Sequence, residues 1–540
     1  MTSTLRADVV IVGSGLGGSA IARSLAGAGL SVLVLERGDF VRQEAQNWDI
    51  AEVALRHRYN ARETWFDAEG RPFVPRAYYN VGGATKFFGG SALRFRPSDF
   101  TARQLDGGMT AAWPYPYAEL EPWYAQAETL MDVHGRAGED PTEGPRGDYP
   151  RPPLEHEPVI ADVARKLEAQ GLHPFHLPVA VDQGPKGRCV KGSPCDGFPC
   201  KVRAKGDAEN RILRPLLLKK EPWLTLRTGC LVERLDTDAS GRRVVAAVVR
   251  QGDEQFRVEG GTFVVAAGAV NSAVLLLRSA SEKWPNGLAN SSGMVGRHFM
   301  AHNNTVIMAL SPFRKNPTSF QKTLAVHDYY TGQGPAGKAL GALQCRGKVK
   351  PEMLRGRSNA LYARLAVPIA ERSVDFWLMT EDLPLPDNRV TVDGAGRIRL
   401  SRKPSNIRAH RDLVARFVGH LRRAGFPITL VDSRGVDAIQ HQSGTLRFGS
   451  DPRSSVLDPW CRSHDVSNLW VVDASFMPSS AAVNPSLTIL AQSLRAGQRL
   501  RSILAAEGAT PAAGKVHAAS GSGPGLSYAQ GQDGDLHKKQ

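Results

Sequence analysis

Apolar runs and polar turns alternate along the N-terminal part of the chain. The apolar run at 8–12 (DVVIV) is followed by a glycine-rich turn, a helix-like stretch (SAIARSLAGAGL) and a second apolar run at 31–35 (SVLVL). Short continuous apolar runs are typical of strands buried on both faces of a parallel sheet. The pattern therefore predicts a strand–turn–helix–strand unit of the kind that opens a Rossmann-like fold.

Other regions of the chain show different periods. Buried-strand patterns return at 223–238, 242–251 and 255–270, whereas the segments 305–310, 361–369, 375–383, 388–393 and 397–403 alternate and predict an antiparallel sheet. Helical spacing is present at 159–172 and 409–426. A further amphipathic helix is predicted within 111–135, with one face formed by Leu120, Tyr124, Ala127 and Met131.

These elements predict an α/β chain, α+β overall, with two interleaved domains. A Rossmann-like nucleotide-binding domain is expected from 1–100, 200–303 and 440–506. A substrate-binding domain, an antiparallel sheet with helices, is expected from 101–199 and 304–439. The stretch 507–540 is rich in Gly, Ala and Ser and poor in large apolar residues, so a disordered tail is predicted.

Composition narrows the class of protein. The 540 residues are 42% hydrophobic and 22% charged, as in a soluble globular enzyme. No apolar run is long enough for a transmembrane helix and no secretory signal is visible, so we expect a cytoplasmic protein without membrane contact. The formal charge of +15 is spread along the chain, which favours a solvated basic surface over nucleic-acid binding. The oligomeric state stays open, with a monomer favoured.

Three cysteines cluster in sequence. Cys189, Cys195 and Cys200 have the spacing C-x5-C-x4-C, which is not that of a zinc site and lacks a fourth ligand. A structured loop is therefore predicted there, and no metal site is expected.

The glycine-rich turn after the first strand carries the motif G-x-G-x-x-G. Gly13 permits a tight turn, Gly15 lets the backbone approach a pyrophosphate, and Gly18 lets helix and strand pack closely. Glu36 ends the second strand, about 20 residues later, where a carboxylate accepts from ribose hydroxyls. The unit therefore predicts an FAD or NAD site rather than an NADP site.

A second glycine-rich segment, 80–91 (NVGGATKFFGGS), has a backbone that can lie against a flat or charged ligand. An open loop is the alternative. Residues 41–79 are predicted to pass over the ligand, and the small-residue turn after the strand at 263–266 also offers a nucleotide contact. The candidate contacts in these segments are Gly83, Thr85, Gly89, Gly90, Ser91, Ala267 and Gly268.

Two polar residues near the C-terminus lie at element boundaries. His441 follows the short run 436–440, and Asn484 precedes a proline and a predicted helix. Binding and catalytic groups tend to lie at such boundaries. Taken alone, a histidine in such a place is more often a structural core residue than a catalytic one, so the role of His441 depends on the rest of the chain.

The motifs together resemble the glucose–methanol–choline (GMC) flavoprotein oxidoreductases. The similar segments are GSGLGGSAIARSLAGAG with Glu36, NVGGATKFFGGSAL, FVVAAGAVNSAVLLLRSA, GMVGRHFMAH and HQSGTLRFG…LWVVDASFMPSSAAVNPSLTI. The resemblance implies FAD as cofactor. It also implies FAD contacts at Arg37, Val232, Asp473, Ala474, Pro485 and Thr488.

Within that family, the pair His441 and Asn484 resembles the pyranose oxidase and cholesterol oxidase branches. Two further segments, AWPYPYAELEPWYAQAETLMDVHG and CDGFPCKVRAKGDAENRILRPLL, are similar to pyranose oxidases and bacterial glycoside 3-oxidases. One departure concerns Phe87, which occupies the position where fungal pyranose oxidases attach the flavin to a histidine. The resemblance therefore implies noncovalent FAD.

The implied reaction is oxidation of a secondary hydroxyl, at C2 or C3, of a pyranose sugar or glycoside. His441 would take the hydroxyl proton, Asn484 would donate to the substrate oxygen, and O2 (giving H2O2) or a quinone would accept the electrons. One alternative is an FAD-dependent sugar or sugar-acid dehydrogenase subunit that passes electrons to a cytochrome or another acceptor. Another is a catalytically idle flavoprotein or a nucleic-acid-binding module.

Overall fold

A computed structural model describes residues 4–192, 194–332, 336–356, 360–433, 440–507 and 517–518. The strands are β1 (Thr4–Val12), β2 (Val32–Leu35), β3 (Trp65–Phe66), β4 (Pro72–Phe73), β5 (Gln104–Leu105), β6 (Gly108–Met109), β7 (Val133–His134), β8 (Pro174–His176), β9 (Val179–Ala180), β10 (Leu224–Arg227), β11 (Cys230–Thr237), β12 (Val244–Gln251), β13 (Glu254–Val265), β14 (Asn303–Leu310), β15 (Leu324–Val326), β16 (Ala342–Cys345), β17 (Ser373–Thr380), β18 (Arg389–Val392), β19 (Ile398–Ser401), β20 (Ile428–Ser433), β21 (Leu469–Val471) and β22 (His517–Ala518).

The α-helices alternate with these strands. They are α1 (Leu16–Ser24), α2 (Tyr117–Met131), α3 (Pro158–Glu168), α4 (Arg214–Leu218), α5 (Ala269–Arg278), α6 (Pro351–Arg355), α7 (Ala360–Arg364), α8 (Ala366–Arg372), α9 (Ile407–Arg423) and α10 (Ser486–Ala506). Within the described residues, none of the helices is both long and apolar enough to cross a membrane.

The larger sheet has the order β10–β2–β1–β13–β12–β11, and β21 pairs with β13. Strands β10, β2, β1, β13 and β21 are parallel, whereas β11, β12 and β13 form an antiparallel meander. Val9, Val10 and Ile11 are completely buried, as expected for a strand covered on both faces. The predicted N-terminal unit and its Rossmann-like sheet are therefore confirmed.

The second sheet is antiparallel, with the order β20–β14–β17–β16–β15–β8. Helices α3 and α9 bury apolar faces in a core shared with this sheet, with residues such as Leu167 and Phe417 completely buried. The antiparallel sheet expected from residues 304–439 is thus present, and β8 joins it from the earlier segment. The exact bounds of the two predicted domains stay predictions.

One strand prediction within that region is wrong, and two predicted strands belong to a different sheet. The segment 361–369 falls in α7 and α8, where Ala366, Ile369 and Ala370 are buried at the spacing i, i+3, i+4 of a helix face. Short apolar segments fit either period, and the packing against the sheet selects the helix here. Strands β18 and β19 do form, but they pair with β3 and β4 in a separate four-stranded sheet.

The predicted face of α2 is confirmed, since Leu120, Tyr124, Ala127 and Met131 are all buried. In the predicted tail, the structure describes only Glu507, at the end of α10, and the two-residue strand β22. The backbone of β22 pairs with Leu5 and Arg6 of β1. The predicted disorder of the remaining tail concerns residues outside the described ones.

Candidate active site

A cavity of about 1120 Å³ lies at the carboxyl ends of the parallel strands. Residues shortly after β1, β2, β13 and β21 line it, and Val232 of β11 lines it too. Because carboxyl ends of parallel strands meet at one edge of a sheet, open α/β sheets bind their ligands there. The cavity wall also includes residues from the 41–79 segment, as predicted, among them Val53 and Tyr79.

The turn between β1 and α1 forms a phosphate cradle at one end of this cavity. Gly13 has a φ of 98°, in the region that favours glycine. A side chain at Gly15 would meet nothing within 4 Å, so its backbone faces open space at the N-terminus of α1. An anion in that space would meet backbone N–H groups and the positive end of the helix dipole.

Gly18 has the packing role that the motif predicts and does not line the cavity. A Cβ atom at Gly18 would come 2.0 Å from the carbonyl oxygen of Gly13. Gly17 is equally constrained, because a Cβ atom there would come 2.2 Å from the carbonyl oxygen of Val472, just after β21. These close approaches fix the cradle against the sheet.

Glu36 is buried beside the cradle and lines the cavity. Its carboxylate accepts hydrogen bonds from the backbone N–H of Ser14 at 3.0 Å, from Ser14 Oγ at 2.6 Å and from the N–H of Gly38 at 2.9 Å. Burial raises the pKa of Glu36, and the bonds from Gly38 and Ser14 oppose that rise. The carboxylate therefore holds the cradle as well as facing the ribose position predicted for it.

The second glycine-rich segment adjoins the first one. The N–H of Gly82 donates to Ser14 Oγ at 3.2 Å, and a Cβ atom at Gly83 would come 3.1 Å from the Cα of Gly15. Gly90 does not line the cavity, because it packs against Ala180, whose carbonyl oxygen would lie 3.2 Å from an added Cβ. The predicted residues of this segment that do line the cavity are Gly83, Thr85, Gly89 and Ser91.

Asp473 links the turn after β13 to the segment after β21. It accepts from the N–H of Gly268 at 3.0 Å and from the N–H of Ser475 at 2.9 Å, and it also accepts from Ser272 Oγ. Burial raises the pKa of Asp473, and these bonds counter the effect. Asp473 and Gly268 both line the cavity, as do the remaining predicted contacts Arg37, Ala267, Ala474 and Pro485.

Thr488 is the third predicted contact that lies outside the cavity lining. It is completely buried on α10, and its hydroxyl is hydrogen-bonded to that of Tyr124 on α2 at 2.8 Å. Its role in the structure is therefore to join two helices. Ser486 and Ile489 of α10 line the cavity, so Thr488 lies on another face of this helix, and its contact with the flavin stays a prediction.

His441 and Asn484 converge at the cavity although 43 positions separate them. The Nδ2 atom of Asn484 lies 3.5 Å from Nε2 of His441, and Oδ1 of Asn484 is buried with no hydrogen-bond partner among the described residues. Both side chains line the cavity. A substrate hydroxyl between them would find a proton acceptor on one side and an amide on the other.

Backbone pairing brings a third residue to this pair. Met300 and Ser443 form an antiparallel bridge, with both N–H···O distances at 3.0 Å. Residues two positions away along each segment, His302 and His441, lie opposite each other on the same face. Their Nδ1 atoms are 2.9 Å apart, and His302 Nε2 is 3.2 Å from the carbonyl oxygen of Ser480.

The protein keeps both imidazoles neutral near pH 7. Burial lowers the pKa of His441 well below its usual value, and the neighbouring His302 lowers it further. Burial likewise lowers the pKa of His302 to about 4, with the Ser480 carbonyl acting in the opposite direction. A neutral imidazole with a free ring nitrogen is the form that accepts a proton.

Sequence reasoning missed two residues of this site. His302 lies within the GMVGRHFMAH segment, but nothing local distinguishes it from His298, four positions earlier. Trp377 on β17 stacks on the ring of His441, with centroids 5.9 Å apart and an interplanar angle of 21°, and it lines the cavity. Its indole N–H donates to Oδ1 of Asn304 at 3.0 Å.

The three clustered cysteines lie in a loop near the cavity wall, and all three are half-buried thiols. Cys195 Sγ lies 3.3 Å from Nζ of Lys322, and Cys200 Sγ accepts from the N–H of Ala204 at 3.2 Å. Lys205 donates to three carbonyl oxygens of the same region, including those of Cys195 and Phe198. Hydrogen bonds thus order this loop, as predicted.

Comparison with known proteins agrees with this geometry. Sequence models described as "GMC oxidoreductase" match residues 160–304 and 407–493, and one described as "FAD dependent oxidoreductase" matches residues 8–126. Paromamine 6'-oxidase of Streptomyces fradiae is 33% identical, over 91% of this chain and 90% of its own length. The chain belongs to the GMC oxidoreductase family.

This member of the GMC oxidoreductase family is therefore an FAD-dependent enzyme that acts on CH–OH groups. A second relative, 6'''-hydroxyparomomycin C oxidase of Streptomyces lividus, is also 33% identical, over 93% of this chain and 92% of its own length. Among solved structures, pyridoxine 4-oxidase of "Mesorbium loti" covers 92% of this chain and 99% of its own length. Its TM-score of 0.64 at 20% identity establishes a shared fold.

The residues present fit FAD. The open backbone at Gly15 and the N-terminus of α1 suit a pyrophosphate, and Glu36 lies where an adenosine ribose would follow. At the other end, the unpartnered Oδ1 of Asn484 and the ring of His441 face the space where a substrate would meet the flavin.

Proposed function

We propose that this enzyme oxidises a hydroxyl group of a pyranose sugar or glycoside to a carbonyl, with His441 as the base. The observation that carries the proposal is the convergence of His441 and Asn484 in one cavity with the dinucleotide cradle. Bound FAD would supply the acceptor for the hydride that leaves carbon. The reaction overall would convert the alcohol and O2 into a carbonyl and H2O2, or would reduce a quinone.

The chain's own residues supply the proton chemistry. Nε2 of neutral His441 takes the proton of the substrate hydroxyl, while Asn484 Nδ2 donates to the same oxygen and holds it in place. The imidazole then carries one positive charge in a buried site. That charge favours a negatively charged species formed beside it when electrons pass to O2.

Two kinds of sugar hydroxyl are candidates for the group that is oxidised. The resemblance to pyranose oxidases favours a ring hydroxyl at C2 or C3. The two Streptomyces relatives are named for positions 6' and 6''', and position 6 of a hexopyranose is the exocyclic hydroxymethyl group. We favour the 6-hydroxyl, because those relatives match more than nine-tenths of this chain at 33% identity.

A panel of sugars under anaerobic conditions tests the proposal. Methyl glycosides with a free 6-hydroxyl should bleach the flavin, and matched 6-deoxy glycosides should not. Neutral and amino-substituted glycosides form two arms of the panel, with cholesterol as a control. Equal bleaching by the 6-deoxy glycosides would move the reaction to C2 or C3. Bleaching by cholesterol and by no sugar would overturn the substrate class.

The role of His441 has a matched control in the same region. His441→Ala should retain FAD and slow flavin reduction by roughly 10²–10⁴-fold, the usual contribution of a positioned base. His298 is buried, does not line the cavity and shares the left-handed backbone of His441, with φ values of 60° and 59°. His298→Ala therefore reports how much stability and flavin content are lost when a buried histidine at a strained backbone position is removed.

A stable, yellow His441→Ala protein that is reduced at the wild-type rate would refute the assignment. If His441 were only a core residue, both variants would lose stability and flavin together. The electron acceptor is tested separately, by reoxidation of the reduced enzyme with air, benzoquinone or a cytochrome. Reoxidation only by the cytochrome would favour the dehydrogenase alternative.

A further inference from the structure

The contacts of the His302 ring determine which of its two nitrogens carries the proton. Nε2 of His302 lies 3.2 Å from the carbonyl oxygen of Ser480, and Nδ1 of His302 lies 2.9 Å from Nδ1 of His441. A carbonyl oxygen only accepts hydrogen bonds, so Nε2 of His302 must carry the proton.

Burial lowers the pKa of His302 to about 4, so the ring is neutral near pH 7, and a neutral imidazole has one N–H group. With that proton on Nε2, Nδ1 of His302 is a bare acceptor. The neighbouring Nδ1 of His441, at 2.9 Å, must then be the donor. Neutral His441 in turn has no proton left for its other nitrogen, so its Nε2 is bare.

The opposite assignment is unfavourable at both ends. If Nδ1 of His302 carried the proton, its bare Nε2 would face the lone pairs of the Ser480 oxygen at 3.2 Å. Nε2 of His441 would then be an N–H group and would face the amide group of Asn484, with Nδ2 at 3.5 Å. In that state the site would have no base to receive the substrate proton.

We infer that His302 is a positioning residue that fixes the tautomer of His441, so that the bare Nε2 of His441 faces the substrate. The inference rests on the proposed function, since it assigns a role to a partner of the proposed base. His302 does not line the cavity and therefore acts through His441. A buried orienting group that holds a catalytic imidazole in one tautomer is a general device for base catalysis.

The fold supplies the rigidity that this role requires. His302 is 3% exposed, and its ring meets that of His441 edge to face, with centroids 4.9 Å apart. A Cβ atom at Gly444 would come 2.3 Å from the carbonyl oxygen of His298, so the two segments approach closely. Beyond Gly444, the N–H of Leu446 donates to the carbonyl of Ser475 at 2.9 Å.

Two variants of nearly equal size separate the tautomer from the packing. In His302→Asn, the amide oxygen can replace Nδ1 as acceptor for His441. In His302→Leu, no acceptor remains and His441 can place its proton on either nitrogen. The leucine variant should slow flavin reduction about 10- to 100-fold, the effect of one or two lost hydrogen bonds. The asparagine variant should recover the rate to within a few-fold of wild type.

Flavin content, melting temperature and the half-saturating sugar concentration are measured beside the rate. They should stay similar in the two variants, since a tautomer change acts on the rate constant for reduction. Equal slowing by leucine and asparagine, or no slowing by leucine, would overturn the inference.

Ring ¹⁵N spectra of the wild-type holoenzyme test the tautomer without any substitution at 302. Histidine-selective ¹⁵N labelling, with the His441→Ala spectrum used for assignment, should show a protonated Nδ1 and a bare Nε2 for His441. A bare Nδ1 would overturn the inference even if His302→Leu failed to fold. If instead His441→Ala is reduced at the wild-type rate, the proposed function fails, whatever the spectrum shows.

Discussion

The ring of Phe87 stacks on the ring of Tyr78, with centroids 4.0 Å apart and an interplanar angle of 11°. Phe87 is 3% exposed and lines the cavity, so an aromatic hydrocarbon occupies this part of the wall. A phenyl ring has no nucleophilic atom to bond with the flavin. We therefore predict that FAD is bound noncovalently. Acid precipitation should release the yellow colour into the supernatant, and colour kept in the washed pellet would contradict the prediction.

The phosphate cradle predicts a large effect of one added side chain. Gly15→Val should lower the affinity for FAD by about 10- to 100-fold, because the valine would occupy space expected for the pyrophosphate. The φ and ψ of Gly15, −67° and −167°, are open to other residues, so folding should be retained. Affinity is measured by titrating flavin-free protein with FAD.

Gly147 provides the control for this substitution. It is exposed, and an added Cβ atom would meet nothing within 4 Å. Gly147→Val should bind FAD like the wild type. Equal losses in both variants, or none at Gly15, would show that the cradle does not hold the pyrophosphate.

Asn484→Ala should affect substrate binding more than the rate of the chemical step. The substitution removes the amide that would hold the substrate oxygen, a hydrogen bond worth about 1–1.5 kcal/mol. The sugar concentration that half-saturates flavin reduction should rise about 10-fold, as measured by anaerobic stopped flow. An unchanged half-saturation would mean that Asn484 does not contact the substrate.

The rate of flavin reduction should depend on pH through His441. Its folded pKa lies well below 6.5, so the imidazole stays neutral, and competent as a base, down to that pH. The rate should be level from about pH 8 to pH 6.5 and should fall only at lower pH, as the imidazole becomes protonated. If the rate of flavin reduction fell with a midpoint above pH 6.5, the group that titrates would not be His441.

Conformational stability should also fall with pH over the acid range. The pKa values of His302 and His410 are lowered to about 4 by burial, so below pH 6.5 the unfolded chain binds more protons than the folded one. The contribution of each histidine to the free energy of unfolding is fully present above pH 6.5. It is lost as the pH falls towards 4, by about 1.4 kcal/mol per pH unit for each group. Urea unfolding at pH 7 and pH 5 measures this loss.

A pair of variants isolates the contribution of one buried histidine. His410→Asn should reduce the difference between the two pH values, because it removes one group that must be buried neutral. Asn316→Ala should leave the difference nearly unchanged, since Asn316 is also buried but its side chain does not titrate. If both variants behaved alike, the pH dependence would have another origin.

The sequence alone determined the nucleotide-binding half of this protein. Strand β1, the turn at Gly13 and helix α1 follow one another, so the spacing of apolar and glycine residues is sufficient to predict them. The same holds for the buried face of α2, whose period is local. The resemblance to a family added the pair His441 and Asn484, and the structure brings the two to one cavity.

Only the tertiary structure decided how distant segments meet. The bridge between Met300 and Ser443 sets His302 against His441, and no local pattern encodes a pairing across about 140 positions. Packing also turned 361–369 into helices and directed Thr488 to Tyr124 instead of the cavity. Periodicity specifies which face of a segment is buried, whereas long-range pairing selects the partner that covers that face. The contact between His302 and His441, the proposed proton acceptor, depends on such a pairing.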